Sequence, residues 1–314
     1  MKTIFNKFII CTAAAALLYQ PVLADDCSTV RFSDVGWTDI TATTALTTEV
    51  LEGLGYQTDV KVLSVPVTYK GLENSDIDIF LGNWMPTMEG DLAPYRDKGA
   101  VDVLPLANLE GAKYTFAVPA YTAAKGLNDF ANISDFKESM DGKIYGIEPG
   151  NDGNRLILDM IEKDAFSLGD FELVESSEQG MLAQVARAAK NKQDIVFLGW
   201  APHPMNNNFE LVYLSGGDDY FGPNYGGASV FTNTRKDYVK ECPNVGVLLN
   251  NLQFTLTMEG AIMGAILDHG QEPRAAAHDW LQQNPNVLDG WLKGVKTITG
   301  NDGLAAVKTA LEIK

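Results

Sequence analysis

The chain has 314 residues, a formal charge of −17, 46% hydrophobic side chains and 21% charged ones. Its first 24 residues carry Lys2 and Lys7 and no acid, so the remaining 290 hold 22 basic and 41 acidic side chains, a formal −19. Such an acidic surface excludes nucleic acid as a partner, because that affinity rests on Lys and Arg at phosphates. It is also repelled by anionic membranes. The hydrophobic content excludes a disordered chain, and the length suffices for two lobes with separate cores.

Residues 1–24 read as a secretory signal. Lys2 and Lys7 form its basic region, Phe8 to Leu18 its apolar run, and Val22-Leu23-Ala24 places compact residues before a cut at Asp25. An apolar run of 11 residues is too short to span a bilayer. The expected location is periplasmic, with cleavage after Ala24. Cys11 leaves with the signal, so Cys27 and Cys242 remain. In an oxidising compartment an isolated pair favours a disulfide, although two unrelated buried thiols would satisfy the count as well.

Taken in order, short apolar strands alternate with helical patterns, which predicts an α/β fold with crossover helices. Strands are expected at Ser28–Phe32, Thr58–Val65, Ile77–Leu81, Tyr114–Val118, Lys143–Ile147, Asp194–Leu198 and residues 228–232. Helices are expected over about Thr41–Leu54, from near Asn154, over Gly180–Lys190, Asn251–Asp268 and Pro273–Gln283. The apolar run from Gly260 to Leu267 reads as the core face of a helix.

One internal echo stands out. Asp76-Ile-Asp-Ile-Phe-Leu-Gly-Asn-Trp84-Met-Pro86 resembles Asp194-Ile-Val-Phe-Leu-Gly-Trp200-Ala-Pro202, and Phe32-Ser-Asp-Val-Gly36-Trp37 is a looser version. Each is a buried strand, a Gly and a Trp, the first two followed by a Pro that stops regular structure. Ligands of parallel sheets bind beyond the carboxyl ends of strands, so three of the five tryptophans sit where ligands bind. Trp280 and Trp291 lie in helical patterns and read as packing residues.

Enzymatic signatures are missing. The three histidines, His203, His269 and His278, lack metal-ligand spacing, and no nucleophile elbow, phosphate loop or dinucleotide fingerprint occurs. The expectation is therefore no enzyme, no metal and no cofactor, with an exported hydrolase as the weaker alternative. Aromatic rings at a cleft suit another task. A quaternary ammonium has no proton to donate, and ring faces hold its diffuse charge at about 0.5–2 kcal/mol each. Four dry faces would supply about 2–8 kcal/mol, against roughly 8 kcal/mol for micromolar affinity.

At Val35-Gly-Trp-Thr-Asp39, Phe80-Leu-Gly-Asn-Trp-Met-Pro86, Pro149-Gly-Asn-Asp-Gly153 and Phe197-Leu-Gly-Trp-Ala-Pro202 the chain resembles the choline- and betaine-type substrate-binding proteins of ABC transporters. The resemblance runs from Cys27 to the C-terminal helices. It implies a type II periplasmic binding fold of two α/β lobes joined by a hinge, here lobe I at 25–112 plus 214–314 and lobe II at 113–213. It implies a monomer that delivers its ligand to a permease, with Cys27 bridged to Cys242. It places the four-ring cage on Trp37, Trp84, Tyr114 and Trp200, and the contacts to an alcohol group on Asp39 and Asn151.

The polar pair has its own logic. The hydroxyl of choline can donate to an ionised Asp39 and accept from the Asn151 amide. As ordinary structure, Asp39 would cap a helix and Asn151 would serve a turn. Tyr114 on its own reads as a strand residue. A carboxylate-bearing ligand such as glycine betaine would be repelled by a charged Asp39, by about 4 kcal/mol at about 4 Å and an effective dielectric near 20.

Overall fold

A computed structural model describes residues 27–313; the signal segment and its cut lie outside the described residues. Nine strands form in chain order: β1 (Thr29–Asp34), β2 (Gln57–Val62), β3 (Ile79–Met85), β4 (Val101–Pro119), β5 (Lys143–Tyr145), β6 (Glu172–Val174), β7 (Phe197–Ala201), β8 (Leu211–Tyr213) and β9 (Gly227–Arg235). They follow one hydrogen-bonded path, β2-β1-β3-β9-β4-β7-β5-β6, with β8 on the far side of β4. β1 pairs in parallel with β2 and β3, and β5 with β6 and β7. These parallel groups form the sheets of two lobes. Between them β4 and β9 run antiparallel to each other, with β9 antiparallel to β3 and β4 antiparallel to β7. The two long strands thus carry the chain through the junction.

β3 and β7 are buried along almost their whole length, which is why their sequences are mostly apolar, Asn83 excepted, instead of alternating. β3 starts two residues and ends four residues later than its sequence predicts, and β7 is shifted by three at both ends. Trp84 and Trp200 therefore lie within the last residues of strands, not beyond them, and each is followed by a cis X–Pro bond, Met85–Pro86 and Ala201–Pro202. The expected strand Thr58–Val65 stops at Val62, and a helix starts at Val65 with Pro66 in its first turn. Pro is favoured there because that N–H has no helical partner.

The helix expected over Asn251–Asp268 starts only at Leu256 and ends at Leu267, and Asn251 is the last residue of a preceding helix, Pro243–Asn251. Between them Phe254 N–H donates to the Asn108 carbonyl at 2.7 Å, so the backbone turns aside to join β4 before Thr255 caps the next helix. In that helix Ile262 and Met263 are buried, as a core face requires. Among the described residues no helix is long and apolar enough to cross a membrane.

The Cys27–Cys242 disulfide is present, with the Cα atoms 5.7 Å apart. It pins the start of β1 to the helix pair that follows β9. Alkylation of unreduced, exported protein should leave both cysteines unlabelled, and mass spectrometry showing two alkylated thiols would refute the bridge.

Candidate functional site

A cavity of about 260 Å³ lies between the lobes, and Trp37, Asp39, Trp84, Tyr114, Asn151 and Trp200 all line it. Ile147 and Asp152 complete the wall. The structure thus brings all six expected site residues together, from segments spread over more than half the chain.

The four rings are 5%, 4%, 5% and 4% exposed for Trp37, Trp84, Tyr114 and Trp200, so almost all of each ring is withdrawn from solvent. Tyr114 is the central wall. Its ring centroid lies 6.1 Å from that of Trp84 at 60° and 6.3 Å from that of Trp200 at 82°. Phe221 backs Tyr114 edge-on at 5.8 Å and 89°. Steeply inclined rings form the sides of a box, whereas a stacked set would leave no interior. Tyr114 approaches the start of the helix Asp152–Glu162 so closely that a side chain at Gly153 would overlap its hydroxyl. The motif Pro149-Gly-Asn-Asp-Gly153 thus ends in a glycine for a steric reason.

Asn151 does what an Asn at a turn does, and more. It is the N-cap of that helix: its Oδ1 accepts from Asn154 N–H at 3.1 Å and from the Tyr114 hydroxyl at 2.9 Å. Its Nδ2 donates to Asp152 Oδ1 at 3.0 Å. An amide nitrogen has two hydrogens, so one stays available to the cavity. The alternative role for Asp39 does not hold. The N-cap of the helix Thr38–Gly53 is Trp37, and Asp39 sits one residue inside the first turn without capping it. Its Oδ2 accepts from Trp84 Nε1–H at 3.0 Å, while its buried Oδ1 has no partner. The carboxyl therefore presents one acceptor to the cavity.

Burial, reinforced by the negative charge of Glu178, raises the Asp39 pKa to about 8; the Trp84 hydrogen bond opposes this. Burial likewise raises Asp152 to about 6 and Glu148 to about 7, the latter opposed by its bond from Trp37. Glu259 on the helix Leu256–Leu267 is also pushed up, by burial and then by Asp39. No Lys or Arg lines the cavity, so a cation entering it meets carboxyl groups whose charged form its presence favours. Among the described residues no group of three or more His, Cys, Asp or Glu side chains is placed to hold a metal ion.

Sequence reasoning missed Asp152, Ile147, Glu148 and Glu178. Asp152 lies inside the Pro149–Gly153 motif and Ile147 ends the expected strand Lys143–Ile147, but neither was given a site role. The other two act over long range. Glu148 accepts from Trp37 Nε1–H at 2.7 Å, and Glu178 takes two hydrogen bonds from Thr38, at 2.8 and 2.6 Å. A third tie crosses the cleft, from Arg155 to the Thr87 carbonyl and to Asp91, both at 2.8 Å. Trp280 is partly buried and Trp291 fully so, both in the core.

A family profile for the substrate-binding domain of ABC-type glycine betaine transport systems matches residues 28–283. A solved ABC-transporter choline-binding protein in complex with choline is 66% identical, with a TM-score of 0.90, covering 91% of this chain and 98% of that one. An ABC-transporter choline-binding protein in an unliganded semi-closed conformation is also 66% identical, at a TM-score of 0.83, over 91% of this chain and 99% of the other. The lactococcal OpuAC in its closed form with glycine betaine is 29% identical, with a TM-score of 0.73, over 84% of this chain and 98% of that one.

Proposed function

Since the chain belongs to the family of substrate-binding domains of ABC-type glycine betaine transport systems, we propose that it captures choline and hands it to a membrane permease. The observation that carries this reading is the buried aromatic box with a half-satisfied carboxyl in its wall. Trp37, Trp84, Tyr114 and Trp200 offer faces to a quaternary ammonium. Asp39 Oδ1 and the spare Asn151 hydrogen take the hydroxyl end. The high identity to a protein holding choline supports the same ligand here.

The chain is exported and cut after Ala24, acts as a monomer and turns nothing over. Its raised carboxyl groups serve a cation instead of an acid–base pair, and incubation with choline esters should release no choline. The sequence puts the lobes at 25–112 with 214–314 and at 113–213, and we move the second boundary later. Phe221 packs on Phe116 and Phe130, so the return crossing belongs nearer Gly227 than residue 213.

A second reading rests on a specific observation. A protonated Asp39 could donate to the carboxylate of glycine betaine, the ligand of the lactococcal protein. Calorimetric titration at pH 8.5 with both compounds tests the choice. Choline should bind one-to-one and glycine betaine far more weakly; comparable affinities would overturn choline as the ligand.

A further inference from the structure

We infer that Glu178 is a positioning residue for ligand capture: it caps, from the opposite lobe, the helix that carries Trp37 and Asp39, and so aligns the two halves of the cage on closure. The inference rests on the reading of the cavity as a ligand site. It starts from a gap in the first lobe. A helix leaves its first N–H groups without partners, and a side chain at the N-cap normally serves one of them. Here the N-cap is Trp37, whose indole cannot accept, and the helix Thr38–Gly53 has no cap of its own.

Glu178 supplies it, 140 residues away in sequence. It opens the helix Glu178–Asn191 between β6 and β7, and is 1% exposed. Its Oε2 accepts from Thr38 N–H at 2.8 Å and its Oε1 from the Thr38 hydroxyl at 2.6 Å. A carboxylate at a helix N-terminus also gains from the helix dipole.

The same carboxyl reaches the other half of the cage. His203 Nδ1 accepts from Met205 N–H at 2.9 Å, which leaves the proton on Nε2. Nε2 therefore donates to Glu178 Oε1, at 3.1 Å. The imidazole meets the Trp200 ring edge-on, centroids 4.7 Å apart at 71°. One buried group thus touches the neighbour of Trp37 and Asp39 in one lobe and the support of Trp200 in the other. The three donors converge only while the cleft is shut, because Thr38 and Glu178 open helices of opposite lobes.

The test uses E178Q and T38V in the mature, disulfide-bonded protein. Gln has the shape of Glu but one acceptor, so its amide must oppose either Thr38 N–H or the other two donors. Choline Kd should rise about 10- to 100-fold in E178Q, mostly through faster release, and about 10-fold in T38V. The double variant should be no weaker than E178Q, because both remove one interaction. Kd is read on variants whose ligand-free melting shows them folded. Unchanged Kd in E178Q, or strictly additive losses, would overturn the cap and leave the choline reading intact. Failure of the unsubstituted protein to bind choline would instead overturn that reading. The cap is then decided by small-angle scattering of ligand-free protein: E178Q should have the larger radius of gyration, and equal radii would overturn it.

Discussion

Replacing Trp84 by alanine is expected to weaken choline binding by about 100-fold. Two losses combine. The ring face contributes about 2 kcal/mol to a desolvated cation. The indole N–H is also the donor that satisfies Asp39 Oδ2, and stripping a buried acceptor of its partner costs about 1–3 kcal/mol. Together these give roughly 3 kcal/mol, or two decades in Kd. Trp84→Phe keeps a face but not the donor, so it separates the two contributions. Trp200→Ala loses a face alone and should cost about 1–2 kcal/mol. Trp37→Ala should cost somewhat more, because Glu148 also loses its donor.

Trp291 is the control. It is buried against Phe254 and donates to the Gln253 carbonyl, far from the cavity lining. Trp291→Ala should lower stability by about 3–5 kcal/mol and leave the Kd of the folded fraction alone. Affinities of folded variants from both groups decide the matter. Equal losses in the two groups, or no loss at Trp84 and Trp200, would mean that the strand-end tryptophans only fill space.

What the sequence disclosed and what it hid divide along sequence distance. Trp84 and Trp200 were legible because each sits in a local pattern, a buried strand with Gly and Trp before a Pro. Asn151 and Gly153 were legible as a turn, and the turn's chemistry carries the helix cap with it. The exact strand ends were not, since nothing local separates Ile77 from Ile79 as a starting residue. β4 was seen only at Tyr114–Val118, although it runs from Val101 to Pro119. Register shifts between Val103 and Ala112 break the alternation by which a strand is recognised.

The cross-lobe acids were invisible for a different reason. Glu148 and Glu178 are two of 41 acidic residues, and their partners Trp37 and Thr38 lie 111 and 140 residues away. No local periodicity marks a side chain whose role appears only when two sheets meet. The electrostatics were half legible. Asp39 was read as ionised, whereas burial beside Glu178 lets the closed, ligand-free site keep its proton near neutral pH.

That proton sets the second large effect, a selectivity that turns with pH. The Asp39 pKa stands at about 8 against an ordinary 3.8, and a cation placed beside it must pull it down. Choline binding therefore releases a proton below pH 8. Its affinity should rise about tenfold per pH unit between pH 6 and 8, about 100-fold in all, and level off above. Glu148 and Asp152, at about 7 and about 6, titrate in the same direction and steepen the slope at its acid end. Glycine betaine should respond oppositely. A charged Asp39 repels its carboxylate by about 4 kcal/mol, while a protonated one donates to it. The choline-to-betaine preference, large at pH 8.5, should collapse toward pH 6. Asp39→Asn should flatten the choline profile to whatever Glu148 and Asp152 impose, and should improve betaine. Stability carries the matching sign: a carboxyl whose folded pKa lies above its unfolded one loses stability as pH rises between the two values. Ligand-free Asp39→Asn should therefore melt higher than the unsubstituted protein at pH 8.5, even as it binds choline worse. Titration in buffers of different ionisation enthalpy counts the released protons directly. A choline affinity flat from pH 6 to 8 with no proton released would mean that Asp39 does not charge in the complex, and the hydroxyl of choline must then find another acceptor.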